Sequence, residues 1–196
     1  GLVFGARTGQ AGRWSRLVDG DINVRMFGAK GDGQNDDSAA IQAAIDAAAG
    51  DEVRIPAGRW LIRHSLRFRS PPGRNSAGLK LIGEGPSVTI IDSRVVEGPA
   101  ILIEQAEAYR FATHGMLRDF DLFGDHAPLG KGHDQHGISM SGAWQYRMDR
   151  VVVSGFRGHG LMVPFVADRG GRFTEVDLVE GSNIAYRSKG GFLATV

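Results

Sequence analysis

Short apolar pairs with one residue between them recur along the chain from residue 53 onward, and turns that contain glycine separate them. Because successive side chains of a strand point to opposite faces, each pair predicts a short strand with two side chains directed inward. The predicted inward pairs are Val53/Ile55, Leu66/Phe68, Leu79/Leu81, Val88/Ile90, Ile101/Ile103, Phe120/Leu122, Ile138/Met140, Val151/Val153, Leu161/Val163, Val176/Leu178 and Ile184/Tyr186.

The segment that precedes these pairs predicts one strand and the only convincing helix. The alternation over residues 22–27 predicts a half-buried strand that stops at Gly28. Ser38 to Ala49 is rich in alanine, the best helix former, and its apolar residues recur with helical spacing. Asp36 or Asp37 is placed to cap this helix, and Gly50 is placed to end it.

A repeat shows how the strands are connected. His136-Gly137-Ile138 recurs 23 residues later as His159-Gly160-Leu161, and again as Ser182-Asn183-Ile184. A coil that returns to its own start, without the two-residue turns of hairpins, favours a parallel β-solenoid over the alternative, a β-sandwich. The helix just before the first strands is suited to cover the exposed first rung.

Composition and charge narrow the function. Of 196 residues, 29 are glycine and none is cysteine, which excludes thiol catalysis and cysteine-ligated zinc. A formal net charge of +1 gives no field suited to nucleic acid, and no apolar run is long enough for membrane insertion. We expect residues 1–21 to be a leader from an upstream part, and residues 22–196 to be one β-helix domain that is incomplete at its C-terminal end.

Three segments support a resemblance to a known superfamily. Residues 22–33, 36–46 and 53–60 resemble the N-terminal signature of pectate-lyase-superfamily right-handed parallel β-helix proteins, and residues 79–91 fit the next rung. Residues 12–20 resemble the lead-in of phage tailspike β-helices. The resemblance implies an all-β, right-handed parallel β-helix of about five to six coils with an N-terminal capping α-helix.

The resemblance also implies a function. We expect a polysaccharide-binding β-helix of a phage or prophage spike, on the virion surface or extracellular, with depolymerisation left open. The expected partners are the polysaccharide, two further copies in a homotrimer, and other virion or spike proteins. A secreted bacterial polysaccharide lyase or glycosidase is the first alternative, and a non-catalytic structural spike or fibre is the second. No cofactor is expected, except Ca²⁺ if the chain is a lyase.

Candidate site residues follow from outward phase and from placement at corners. If Phe120/Leu122 and Val151/Val153 point inward, Asp119 and Arg150 point outward on neighbouring rungs. Gly158-His159-Gly160 resembles an element of polygalacturonases, but the acidic motifs that accompany this element in polygalacturonases are absent from the chain. The Asp-Pro-His-Glu motif of epimerases is absent as well. The alternative for His159 is a structural role at a corner of the coil. The predicted catalytic residues are His159, Asp149 and Asp177. The predicted substrate-binding residues are Trp144, Tyr146, Arg147, Arg150, Arg157 and Arg187, for which stacking and charged hydrogen bonds are the expected contacts. For Trp144 and Tyr146, half-buried aromatic packing is the alternative. No metal site is predicted, because no helix is expected over the histidine-rich segment 126–136 to fix the spacing of its histidines, and a solvated loop is expected there instead.

Overall fold

The described part of the chain consists of short strands, one α-helix and one 3-10 helix. A computed structural model describes residues 21–69, 78–104, 112–125, 135–140, 143–144 and 146–162. The 3-10 helix is Val24–Phe27 and the α-helix, α1, is Ser38–Ala48. The strands are β1 (Ile22–Asn23), β2 (Asp32–Asp36), β3 (Glu52–Arg54), β4 (Gly58–Ile62), β5 (Leu66–Arg69), β6 (Lys80–Ile82), β7 (Thr89–Ser93), β8 (Ile101–Glu104), β9 (Ala112–Thr113), β10 (Met116–Phe123), β11 (Ile138–Met140), β12 (Ala143–Trp144), β13 (Arg147–Ser154) and β14 (Leu161–Met162). None of these helices is long and apolar enough to span a membrane.

The strands stack in parallel on three successive faces. The first face consists of β1, β3, β6 and the first halves of β10 and β13. The second consists of β2, β4, β7 and the second halves of β10 and β13, and the third consists of β5, β8, β11 and β14. A chain that visits three parallel sheets in turn and then pairs with its own previous turn is a parallel β-helix, so the predicted fold class is confirmed. The number of coils stays a prediction.

The coils differ in length. Leu81 pairs with Leu117 and Leu117 with Met148, so these rungs are 36 and 31 residues apart. Ile138 pairs with Leu161, 23 residues further on, as the repeat predicts. The 23-residue period therefore holds for the last described rung of the third face, and the earlier coils have longer connections between faces.

Most predicted inward pairs form the core. Both members are buried in the pairs that begin at residues 53, 66, 79, 101, 120 and 138, while Val153 is half-buried beside buried Val151. The Val88/Ile90 prediction is wrong: Val88 is 46% exposed, and Thr89 and Ile91 point inward instead. The Thr89 hydroxyl is satisfied there, because it donates to the Ile55 carbonyl at 3.1 Å and accepts from the Glu84 N–H at 2.9 Å. Val163 and the pairs at 176/178 and 184/186 lie outside the described residues.

Helix α1 lies against the first coil, as predicted. It contacts the 3-10 helix, β1, β3 and β5, and buries Ile41, Ala44, Ile45 and Ala48. The N-cap residue is Asp37, but the capping side chain is that of Asp36, whose carboxylate accepts from the Ser38 N–H and hydroxyl. The helix ends at Ala48, one residue earlier than predicted, because Ala49 already has the left-handed conformation at φ 49°. The apolar face thus closes the first end of the core.

The strand predicted over residues 22–27 is only partly present. Strand β1 stops at Asn23, whose side chain accepts from the Arg25 N–H at 2.9 Å and starts the 3-10 helix. Gly28 then ends that helix with φ 96°, a conformation that glycine adopts at low cost. Asparagine favours such local hydrogen bonds over strand pairing, which explains the early end of β1.

Candidate functional site

Two successive rungs turn the same corner with a left-handed residue. Asp119 in β10 has φ 64° and Arg150 in β13 has φ 50°. The pairing of the two strands runs from Met116↔Arg147 to Arg118↔Asp149, omits this corner, and resumes at Phe120↔Val151. Because non-glycine residues adopt this conformation at a cost, the corner requires compensating contacts.

An ion network provides those contacts. The Asp119 carboxylate, which is nearly buried, accepts from Arg150 Nε at 2.6 Å and lies 3.0 Å from Arg118 Nε. Arg150 Nη1 also lies 3.6 Å from Asp149 Oδ2. The hydrogen bond that Arg150 donates to Asp119 raises the pKa of Arg150 above its ordinary value, so the guanidinium is always charged. Asp119 thus holds Arg150 in a fixed orientation while 58% of the Arg150 side chain stays exposed.

The outer surface of β13 adds a further cation next to this network. Arg147 is exposed at the start of β13, and its N–H donates to the Gly115 carbonyl at 3.0 Å. Asp149, two residues on, faces the same side, and 44% of its side chain is exposed. The guanidinium groups of Arg118 and Arg150 thus lie against the carboxylates of Asp119 and Asp149, and Arg147 lies exposed on the same strand as Asp149. A positive excess with exposed guanidinium donors suits ligands that present carboxylate or hydroxyl oxygens.

A second polar cluster occupies the turn between β13 and β14. Arg157 Nη2 binds Asp125 Oδ2 at 3.0 Å, which links this turn to the end of β10. The His159 ring stacks on the His136 ring with a centroid distance of 5.1 Å. The backbone N–H of His159 donates to His136 Nδ1 at 2.9 Å. This turn leads to the third face, whereas Arg147 and Asp149 lie on the first. Within the described residues, His159 and Asp149 are therefore held by separate partners and form no common reacting centre.

One predicted substrate-binding residue needs correction. Tyr146 is 1% exposed, and its hydroxyl oxygen accepts from the Leu79 N–H at 2.7 Å. Burial raises the pKa of Tyr146 above its ordinary value. Its ring therefore belongs to the core and has no face open to a sugar.

The other predicted residues have varied positions. Arg147, Arg150 and Asp149 share the outer side of β13, and Arg157 and His159 share the turn before β14. The side chain of Trp144, and Asp177 and Arg187 altogether, lie outside the described residues. Across the described ranges, no three histidine, aspartate or glutamate side chains converge as a metal site would require.

Arg118 is the member of the network that sequence reasoning missed. Its sequence neighbourhood carried a signal, because Arg118-Asp119 and Asp149-Arg150 occupy equivalent places before Phe120 and Val151. An inverted charge order at the same position of two stacked strands indicates ion pairs between the rungs.

Comparisons with known proteins give the chain its relatives. Residues 21–115 match the family described as rhamnogalacturonase A/epimerase, pectate lyase-like. Depolymerase 1, capsule KN3-specific, of Klebsiella phage KN3-1 is 31% identical over 147 residues, which covers 69% of this chain and 18% of the phage protein. Mannuronan C5-epimerase AlgE3 of Azotobacter vinelandii is 40% identical over 81 residues, which covers 40% of this chain and 4% of the epimerase. Among solved structures, ORF18 of Geobacillus virus E2 has a TM-score of 0.62 at 26% identity, over 73% of this chain and 28% of that one.

The fold and these matches together define the class: the chain is a parallel β-helix, and it is similar to pectate-lyase-like proteins over residues 21–115, as the resemblance predicts. The match to the family model includes the first coils and helix α1, where the resemblance is most specific. The chain spans less than a third of the length of each of the three relatives.

Proposed function

We propose that this chain supplies a polysaccharide-binding β-helix of a phage or prophage spike, displayed at the particle surface. The observation that carries the proposal is the 31% identity to a phage capsule depolymerase over 147 residues. The similarity in fold to the Geobacillus virus E2 protein supports it. Polysaccharide is the proposed ligand because a viral relative that matches over 147 residues is named for a capsule.

The outer side of β10 and β13 is the proposed contact surface. Asp119 orients Arg150 from the neighbouring rung, so little side-chain freedom of Arg150 is lost when a ligand binds. Arg147 lies exposed three residues before it, and a guanidinium can donate two parallel hydrogen bonds to one carboxylate. The surface therefore suits a chain of sugars that carries uronate or other acidic groups. The cleavage roles predicted for His159, Asp149 and Asp177 stay predictions.

Incubation with a panel of polysaccharides tests the proposal. The purified protein is mixed with capsular polysaccharides, alginate and pectate, and binding is measured by affinity electrophoresis. New reducing ends report hydrolysis, and new ultraviolet-absorbing ends report elimination. We expect retardation by at least one polysaccharide. Failure to bind or change any member of the panel, across capsules of many types, would overturn the proposal.

A second candidate is an alginate-modifying enzyme. It is favoured by the 40% identity to a mannuronan epimerase over 81 residues. Proton exchange at C5 of alginate in deuterated water, with no chain cleavage, would support this candidate. Retardation confined to a capsular polysaccharide would favour the phage spike.

Loss of Arg147 is expected to weaken polysaccharide binding. In Arg147→Ala an exposed charged donor is removed from the proposed surface, and charged hydrogen bonds contribute about 1.5–3 kcal/mol each. The dissociation constant should rise by about tenfold or more, measured with the polysaccharide that the panel identifies. The matched control is Arg63→Ala, which removes an exposed arginine from the connection between β4 and β5. Equal effects of the two variants would show that binding depends on overall charge and not on this surface.

The proposal also expects a homotrimer of this chain, in contact with other spike proteins. The basis is the resemblance to tailspikes. Light scattering over a range of concentrations measures the molar mass. A mass of three chains is expected, and a monomer at every concentration would favour a free enzyme over a spike.

A further inference from the structure

The stacked pair His136 and His159 joins the last two described rungs of the third face. The rings are nearly parallel, with an interplanar angle of 8° and centroids 5.1 Å apart. They occupy the same place on successive rungs, because Ile138 and Leu161, two residues further on in each case, are register partners. The pair is therefore built into the stacking of the coil and is not a chance contact of two surface side chains.

The hydrogen bonding of this pair determines which nitrogen carries a proton. His136 Nδ1 accepts from the His159 N–H at 2.9 Å, so it must be unprotonated while this bond exists. If His136 Nδ1 were protonated, it would be a hydrogen-bond donor, and it would face the backbone N–H of His159, which is also a donor. This change weakens the contact between the rungs.

Close packing prevents the His136 ring from escaping this conflict. A Cβ atom at Gly158 would lie only 2.5 Å from His136 Nδ1, so backbone presses against the ring at this edge. The Gly158 N–H also donates to the Gln135 carbonyl at 2.8 Å, which fixes the turn over His136. The ring cannot turn away without loss of these contacts.

Arg157 and Asp125 are two charged residues on the elements that adjoin the pair. Within the described residues, Arg157 lies on the same turn as His159, and Asp125 follows β10. These two bind each other at 3.0 Å. Gln135, the neighbour of His136, is neutral and donates to the Val95 carbonyl at 2.6 Å. Because Asp125 is already engaged by Arg157, its charge is partly neutralised before it can favour a protonated ring.

We propose that the His136–His159 pair is a pH-sensitive contact between rungs, which holds the turn that carries Arg157 while His136 Nδ1 is unprotonated and releases it in acid. The contact between the rungs does not depend on the proposed function. An effect of this contact on polysaccharide binding, through Arg157, rests on the proposed function. The folded chain takes up a proton at His136 less readily than the unfolded chain, in which histidine titrates near ~6.5. Since the unfolded state then binds more protons, stability falls as the pH falls below about 6.5.

Unfolding in urea at a series of pH values between 8 and 5 tests this proposal without any polysaccharide. One linked proton raises the unfolding equilibrium constant by up to about tenfold per pH unit in this range. His136→Asn places an amide oxygen, which can accept from the His159 N–H and does not titrate, near the position of Nδ1. We expect this variant to lose much less stability in acid than the wild type. The matched control, His64→Asn, removes an exposed histidine between β4 and β5 and should keep the wild-type dependence.

The ring proton resonances of the wild type provide an independent measurement, which needs no variant to fold. We expect the His136 resonance to stay at its neutral position through the pH range in which an exposed histidine titrates. A His136 ring that titrates near ~6.5 in the folded protein would overturn the proposal. So would a His136→Asn variant that retains the full loss of stability in acid.

Discussion

Gly83→Ala should separate two rungs of the helix and lower the free energy of unfolding by about 3 kcal/mol or more. A Cβ atom at this position would lie 2.0 Å from the Asp119 carbonyl oxygen and 2.9 Å from its carbon. Both are backbone atoms, and they are held in place because the Gly83 N–H donates to the Arg118 carbonyl at 2.8 Å and the Gly85 N–H to the Asp119 carbonyl at 2.9 Å. Relief requires the two rungs to move apart at the corner that carries the ion network.

The urea midpoint of Gly83→Ala, followed by circular dichroism, measures this effect. Gly28→Ala is the control, because a Cβ at Gly28 has no neighbour within 4 Å and the cost there comes only from φ 96°. That cost is about 1–2 kcal/mol. Similar midpoints for the two variants would show that the close approach at Gly83 can relax, and would contradict the prediction.

The glycine-rich corners show what a sequence pattern can and cannot foresee. At Gly155 the reason for glycine is the backbone conformation, since its φ of 77° lies in the left-handed region. At Gly124 the reason is space, since a Cβ there would lie 2.3 Å from the Gly155 carbonyl oxygen. The corner at Asp119 and Arg150 is left-handed without any glycine, because ion pairs between the rungs compensate for its cost. The glycine content indicates that corners are frequent, but only the stacking of the rungs shows whether a given corner needs backbone freedom, space or ion pairs.

The fold was predictable because period-two pairs depend on local alternation, which the chain preserves at nearly every strand. The exception, Val88/Ile90, arose where a threonine hydroxyl finds two backbone partners inside and shifts the phase by one residue. Tyr146 was misplaced although its phase was readable, since it alternates with buried Met148 and so faces inward. The exposed side chains on the outer side of β13 were predictable from that same alternation. The stacking of Asp119 and Arg150 on neighbouring rungs was predictable in the same way, but their left-handed conformation was not, because no period in the sequence marks it.

Asp37→Ala is expected to have the second largest effect, about 2–4 kcal/mol of unfolding free energy. The Asp37 side chain is buried, and its two carboxylate oxygens accept separately from the Lys30 N–H at 2.6 Å and the Gly31 N–H at 3.0 Å. Its backbone N–H donates to the Leu61 carbonyl at 2.8 Å, which ties the start of α1 to β4. Hydrogen bonds to a charged group contribute about 1.5–3 kcal/mol, and removal of the carboxylate leaves two backbone donors without acceptors.

Three variants separate these contributions. Asp37→Asn retains one oxygen acceptor and should lie between Asp37→Ala and the wild type in urea midpoint. Asp46→Ala removes an exposed carboxylate from the same helix, whose only described contact is with Gln42, and should leave the midpoint near that of the wild type. Because α1 covers the first coil, loss of Asp37 should also expose apolar surface there, visible as increased binding of a hydrophobic dye. A midpoint of Asp37→Ala equal to that of Asp46→Ala would show that the loop over Lys30 and Gly31 is held by other contacts.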